Sequence, residues 1–434
     1  MAHEEFDTVT ADFEAIAQRA GEIHRALPAE KQAAFFQLVL FPTNASWQLN
    51  EMYLAAAKNA LYERQGRAAT NDMANRTREM FLADALLTTA WNRLGGGRWD
   101  HFMDQPHIGY TSFGMMGQNN TLDAIALVNL SVPVAASMGI AIQGSESAWP
   151  GAAEPAVVPR FDALTRQRCF VDVFNRGQTP FAFTAVADDS WVVINSSAGT
   201  VEKQQRVWLS IRWDKVPNGT TSSSITLTGA GSNVTVRVDT LNPDEVSRAS
   251  LLSGFAEGAG YVSIEAEHYT AVTTVGQNRW IKVADLGHTL SAMRAAAPVD
   301  APSATPGQDA ASLEYRMYLF TAGAADVNLI LSATLNFVPS RGLRYAVAFD
   351  DQLPTVVVVV PRNYTAQSGN NDWEAAVEID GRHSHTAHSL STPGYHTLKV
   401  WAVDPGLVVQ KLVVDLGGLM PSYLGPPESY HGPT

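Results

Sequence analysis

The apolar residues of this chain change period part-way along it, and that change limits the architecture more than any other feature. Between residues 10 and 95 they recur at helical spacing; from about 166 onward they alternate. Side chains three and four apart share a helix face, whereas side chains two apart share a strand face. Helices gathered in one half and strands in the other mean a multidomain α plus β chain rather than alternating βα units. Pro28 followed by Glu30 predicts a helix start, with proline in the first turn and an acid at the positive end of the dipole. Phe35, Phe36, Leu38, Val39 and Leu40 predict a buried stripe that ends before Pro42. Trp47, Leu54 and Leu61, set among Ala55, Ala56, Ala57 and Ala60, predict a helix over 43–67. Another spans about 71–94, until Gly95-Gly96-Gly97 stop it. Together they read as a small antiparallel bundle.

The stretch 98–165 is irregular, and prolines gather between 150 and 160. In 166–240, Val207, Leu209, Ile211 and Trp213 fall on one side of a strand, and Val234, Val236 and Val238 repeat the pattern. Short alternating runs divided by turns such as Pro217-Asn218-Gly219 predict an immunoglobulin-like β-sandwich. A polar connector over 241–258 follows. Alternation then resumes in Val262/Ile264/Ala266, Leu313/Tyr315/Met317/Leu319 and Leu343/Tyr345/Val347/Phe349, predicting a larger sandwich of jelly-roll type. The tail from Ser422 to Glu428 is Pro-rich and unsuited to a strand. The expected domains are a helical bundle with its irregular loop region (1–150), the immunoglobulin-like sandwich (151–248) and the C-terminal sandwich (249–434).

The formal net charge of −13 and the lack of a basic run argue against a nucleic-acid partner. The longest apolar runs, such as Val356 to Val360, are too short to cross a membrane. Cys169 is the single cysteine, beside Phe170 in a strand, and reads as a small buried hydrophobe. Asn-X-Ser/Thr sequons at Asn44, Asn75, Asn119, Asn129, Asn195, Asn218, Asn233 and Asn363 exceed chance and lean towards a secreted, glycosylated protein. The N-terminus shows no signal peptide. A secreted style without an export signal is what a fragment of a longer chain is expected to look like.

Glu265 and Glu267 share a strand face by their spacing. They read either as a solvated face with Arg partners or as ligands of a structural calcium ion; no cofactor is otherwise required. His383, His385 and His388 have metal-like spacing, but the preceding Asp380-Gly381 reads as the turn of a solvated hairpin. Trp208 and Trp401 lie opposite the aliphatic sides of their strands. They are the better candidates for stacking on sugar rings, with packing as the alternative.

Several strings carry a family resemblance. Tyr261-Val-Ser-Ile-Glu-Ala-Glu-His-Tyr269, Leu286-Gly-His-Thr-Leu-Ser-Ala-Met293, Leu343-Arg-Tyr-Ala-Val-Ala-Phe-Asp-Asp351, Gly394-Tyr-His-Thr-Leu-Lys-Val-Trp401, Val403-Asp-Pro-Gly406 and the Gly417 to Ser429 string resemble the C-terminal domain of glycoside hydrolase family 115, fungal type. Phe35 to Leu40, Tyr53-Leu-Ala-Ala-Ala57, Gln65-Gly-Arg67 and Trp99 to Tyr110 resemble that family's helical domain. The resemblance implies a xylan α-1,2-glucuronidase, which removes glucuronic acid or its 4-O-methyl form from glucuronoxylan. It also implies a preceding catalytic barrel that this chain lacks, and a homodimer formed through the C-terminal half. No catalytic residue can be carried over, because the segment that holds them is absent. His101, Asp104, Gln105, His107 and Tyr110 sit in the family-like loop leaving the bundle, placed either to contact substrate or to buttress the barrel. Thr111-Ser112-Phe113 follows where the family pattern carries a tryptophan, which argues against substrate contact.

The expected function is therefore an accessory one, in which the chain supports a barrel and does not hydrolyse alone. A free-standing carbohydrate-binding or adhesive protein is the alternative. A self-sufficient hydrolase would need two opposed carboxyls, and only Glu265 and Glu267 are on offer. An exposed apolar face on the bundle would favour the accessory reading.

Overall fold

The computed structural model describes residues 3–109, 119–244, 246–251 and 253–433. The helical part comprises α1 (Glu5–Ala26), α2 (Ala29–Phe35), a π-helical turn (Phe36–Leu40), α3 (Phe41–Gln65), α4 (Thr70–Asn92) and α5 (Leu94–Gly97). Ten strands follow: β1 (Met138–Ile142), β2 (Ala156–Val157), β3 (Phe161–Asp162), β4 (Cys169–Asn175), β5 (Phe181–Ala187), β6 (Val192–Ile194), β7 (Ala198–Val201), β8 (Gln204–Ile211), β9 (Gly219–Gly229) and β10 (Ser232–Asn242). The remainder holds β11 (Phe255–Ala256), β12 (Tyr261–Glu265), β13 (Ala271–Thr273), β14 (Arg279–Val283), β15 (Ala292–Ala296), β16 (Ser312–Leu319), β17 (Gly323–Leu331), β18 (Leu343–Phe349) and β19 (Thr355–Val360). After these come α6 (Asn371–Glu378), β20 (Arg382–Leu390), β21 (Gly394–Ala402) and β22 (Val408–Asp415). The chain is α plus β, a helical region followed by β-sandwiches. It divides into two compact units, one of residues 1–158, 168–210 and 223–238, the other of residues 159–167, 211–222 and 239–434.

In the first unit α3 packs against both α1 and α4. Ala17, Ala20, Ala55 and Ala74 are buried, and their small side chains let the helices approach closely. Gly66 ends α3 in the left-handed conformation, as do Gly95 and Gly96 after α4. The stripe at 35–40 departs from expectation twice. It does not end before Pro42, because the chain passes through the π-helical turn directly into α3, with Pro42 in that helix's first turn. Nor is it buried, for Leu38 is 78% exposed.

The strands of the first sandwich form the orders β1-β4-β8-β6 and β2-β10-β9-β5-β7, with β3 beside β10. The expected boundary at residue 150 is too late. β1 pairs antiparallel with β4 along all five of its residues, from Met138↔Asn175 to Ile142↔Val171, and every one is buried. A short strand covered on both faces shows no alternation and is invisible to a period-two reading. The three-domain expectation also understates how the bundle is tied to these strands. Arg67, at the end of the helical hairpin, is 2% exposed; it bonds Gln65, Asp172 and Gln204 and lies over the rings of Tyr62 and Phe174. Cys169 is buried, and burial pushes its thiol up to about 12, so it is inert packing.

In the second unit, sheets β11-β16-β21-β18-β19 (with β13 beside β16) and β14-β15-β22-β17-β20 (with β12 beside β22) face each other. The alternating residues meet between them: Leu313, Tyr315 and Met317 from one sheet, Val262, Ile264, Val327 and Leu412 from the other. The segment after β22 crosses the outer face of the second sheet. The Ser429 amide donates to the Ser263 carbonyl, and the Ser263 hydroxyl to that of Pro426.

Candidate functional site

The loop that leaves α4 uses its polar residues to hold itself in place. Asp104 accepts from Asn92 Nδ2 at 2.6 Å and pairs with His101 Nδ1 at 2.6 Å. That bond raises the His101 pKa and lowers that of Asp104. His101 itself stands in the left-handed region (φ 65°) and points into solvent. His107 Nε2 reaches both carboxylate oxygens of Asp84 on α4 at 2.9 Å, and its Nδ1 reaches the Gln105 carbonyl. Asn120 accepts from the amides of His107 and Ile108. Gln105 contributes its backbone and leaves its side chain exposed. Tyr110 lies outside the described residues. So the four described candidates do not converge on one point: His101 pairs with Asp104, His107 with Asp84, and the Gln105 side chain joins neither. Asp84 and Asn92 carry no signal in the sequence, because their spacing to the loop has no local signature.

The hydrogen bond to Asp84 is the leading cause that raises the His107 pKa, against a smaller opposing effect of burial. A histidine whose pKa rises on folding stabilises the fold below its unfolded value of about 6.5, and that contribution fades as pH climbs through the folded value. The melting temperature of the first unit should therefore fall as pH is raised across that window. The His107→Gln variant should lose this part of the pH dependence in thermal denaturation; an unchanged profile would remove the pair from the account.

Outside this loop, α4 presents an unusual face. From Met80 to Asn92 the only charge is Asp84, and it is turned inward to His107. Leu82 (61% exposed) and Leu86 (71% exposed) stand one turn apart in solvent, with Ala85 and Thr89 beside them. Ring contacts run Phe36–Phe41–Trp91–Phe102–Trp99, and Phe102 is 69% exposed. The aromatic ridge links the π-helical turn carrying Leu38 to the end of α4.

Glu265 and Glu267 are not a solvated pair. Glu265 forms an ion pair with Lys411 at 3.0 Å, with 5% and 3% of the two side chains exposed, and accepts from the Thr289 hydroxyl. Glu267 pairs with Lys282 and accepts from the Ser291 amide. Burial alone would raise the Glu267 pKa, but the bonds from Lys282 and Ser291 outweigh it and hold the carboxyl below its usual range. Each carboxylate is already neutralised by its own ammonium, so a calcium ion would first have to displace a lysine. Among the described residues no group of three or more His, Cys, Asp or Glu is placed to hold a metal.

Trp401 is a correction: it is 8% exposed and packs with Ala304, Ala310, Ala346 and Ala348. It does lie on the outer side of β21, but the 299–310 segment folds over that side. Trp208 is half-buried, with the Arg168 guanidinium 4.8 Å from its ring centroid and Phe170 against its edge. His383, His385 and His388 lie on β20 rather than in a loop. The two faces of the strand separate them, His388 meeting Phe349 while His385 pairs with Asp326.

Residues 254–428 match the glycosyl hydrolase family 115 C-terminal domain. Among solved structures, the chain is similar to a family GH115 4-O-methyl-α-glucuronidase with specificity for decorated arabinogalactans, at 12% identity and a TM-score of 0.45, over 95% of this chain and 33% of that one. The chain thus spans about a third of the length of that protein. It is also similar to the C-terminal family 6 carbohydrate-binding module of a laminarinase from Zobellia galactanivorans (11% identity, TM-score 0.24, 36% of this chain and 98% of that one). A family 35 carbohydrate-binding module from Clostridium thermocellum is similar over the same shares (10% identity, TM-score 0.24). No curated protein matches the sequence.

Proposed function

We propose, from the match of residues 254–428 to the glycosyl hydrolase family 115 C-terminal domain, that the chain is the accessory region of a fungal-type xylan α-1,2-glucuronidase. Its helical bundle docks on the catalytic barrel, its C-terminal sandwich supplies the homodimer contact, and the assembled, secreted enzyme acts on glucuronoxylan. Asn218, Asn233 and Asn363 are exposed, in keeping with glycosylation of such a protein.

The observation that carries the reading is the bare face of α4. A surface helix ordinarily turns charge to water and its apolar stripe to the core. Here Leu82, Ala85, Leu86 and Thr89 face solvent without a charge among them. Contiguous apolar surface of this kind marks a site where another protein surface packs.

Two measurements test it. The folded chain alone should release no glucuronic acid from glucuronoxylan or short aldouronic acids; release at an enzyme-like rate would sink the accessory reading. The Leu82→Asp/Leu86→Asp variant should keep its stability to within about 1 kcal/mol, since both residues are exposed. The same variant should weaken association with a separately produced family 115 barrel by at least about tenfold, the loss of two buried leucines. Equal binding by variant and parent would place the docking face elsewhere.

A further inference from the structure

The outer face of the sheet β11-β16-β21-β18-β19 holds a guanidinium fixed on an exposed aromatic ring, and we propose that Arg316 and Tyr395 form a receptor for the carboxylate of an acidic saccharide. The inference rests on the carbohydrate-directed reading above and gives the sandwich a ligand of its own, apart from any barrel.

Strand register builds the site. β16 and β21 pair antiparallel, with Glu314 opposite Lys399, Arg316 opposite Thr397 and Tyr318 opposite Tyr395. Their neighbours Tyr315, Met317, Leu398 and Val400 fill the core, so these six residues take the outer face. Tyr395 is 41% exposed, and the Arg316 guanidinium carbon lies 4.2 Å from its ring centroid. Tyr318 meets the Tyr395 ring edge-on at 5.1 Å and fixes its orientation. Thr270 Oγ1 accepts from the Arg316 amide and donates to the Glu314 carbonyl, which clamps the strand at this point.

The charge pattern selects the ligand. Arg316 is exposed, and none of the ion pairs among the described residues involves it or Lys399. Two acids lie near. Asp350 is occupied, accepting from His396 Nδ1 and the Thr397 amide. Glu314 sits opposite Lys399 and offsets that ammonium, which leaves Arg316 as the reader. Arg316, exposed and outside the ion pairs of the described residues, is then a cation free to meet an anion on a chain of net charge −13. A guanidinium held over a ring is partly pre-organised; its N–H fork matches a carboxylate, and less rotamer freedom remains to be lost on binding. The exposed remainder of Tyr395 offers an apolar edge to sugar C–H groups, and Thr397 a hydroxyl. A uronic-acid saccharide presents both features, a carboxylate and an apolar ring face.

The test is affinity electrophoresis of the full chain in gels containing glucuronoxylan, polygalacturonate, or glucuronoxylan whose carboxyl groups have been chemically reduced to alcohols. The parent should be retarded by at least one acidic polymer and not by the reduced one. Arg316→Gln should weaken that retardation by at least about tenfold, the loss of one bidentate charge-assisted pair, and Arg316→Lys should restore part of it. Arg316 is exposed, so an unchanged circular dichroism spectrum will confirm that each variant is folded. Equal retardation by the reduced polymer, no retardation by any polymer, or Arg316→Gln behaving as the parent would each overturn the receptor. None of these outcomes bears on glucuronic acid release or barrel docking, so the two readings fail separately.

Discussion

Replacing Lys411 with methionine is expected to lower the unfolding free energy of the second unit by about 3–5 kcal/mol, because it strands the Glu265 carboxylate in the interior. Lys411 Nζ bonds Glu265 and also donates to the carbonyls of Leu424 and Pro426 in the C-terminal tail. One ammonium therefore satisfies an acid on β12 and two backbone acceptors from the segment that covers it. Removing it takes one bond from each of the three and leaves the carboxylate without its charged partner, the Thr289 hydroxyl still bonding it. Urea denaturation followed by tryptophan fluorescence would measure the loss. The Glu265→Leu/Lys411→Met double variant should recover most of it, since a buried pair is often replaceable by apolar residues of similar volume. If Lys411→Met alone cost under about 1 kcal/mol, the pair would have to be behaving as a solvent-exposed one. Limited proteolysis should also cut the 419–429 tail sooner in the single variant.

Asp404→Leu is expected to cost a similar amount, about 3–5 kcal/mol, for the opposite reason: it strands cations rather than an anion. The Asp404 side chain is fully buried. It takes the Arg344 fork at 2.8 and 3.2 Å and the Ser303 hydroxyl at 2.7 Å, and lies 3.2 Å from Arg341 Nε. Arg341 also donates to the carbonyls of Val299 and Ala301, and Arg344 to Ser303. Asp404 thus anchors the 299–310 segment that covers Trp401. Asp404→Asn keeps the acceptor oxygen and should lose clearly less than Asp404→Leu. The Leu variant should also expose Trp401, read as a red shift of fluorescence in native buffer. No shift, with a small loss of stability, would mean that the segment is held by its alanines alone.

Both clusters lie in strings that carry the family resemblance, Glu265 in Tyr261 to Tyr269 and Asp404 in Val403-Asp-Pro-Gly406. Their roles were not legible there. Glu265 and Glu267 have the spacing of a shared strand face, yet β12 stops at Glu265 and each acid answers to a different lysine. The loop after α4 was legible as a polar element leaving the bundle. That His107 closes onto Asp84, and His101 onto Asp104, depended on a helix partner and a left-handed turn that no spacing rule encodes. The three histidines of β20 had metal-like spacing, but a strand puts odd and even positions on opposite faces.

Local residue order accounts for the partition into helices and strands and the inward side of the long alternating strands, through the period of neighbouring side chains, and for the glycine stop after α4, through glycine's left-handed freedom. Which outward faces are covered depends on distant segments. Ser263, Glu265 and Lys411 look like solvent-facing polar positions on their strands, but the tail at 426–429 lies across them; Trp401 looks open, but 299–310 closes over it. In the same way Leu38, Leu82 and Leu86 have the pattern of a core stripe and stand bare. Periodicity is a property of residues a few positions apart, whereas coverage is set by segments separated by tens to hundreds of residues, such as Ser263 and Ser429. Only the folded chain brings those together.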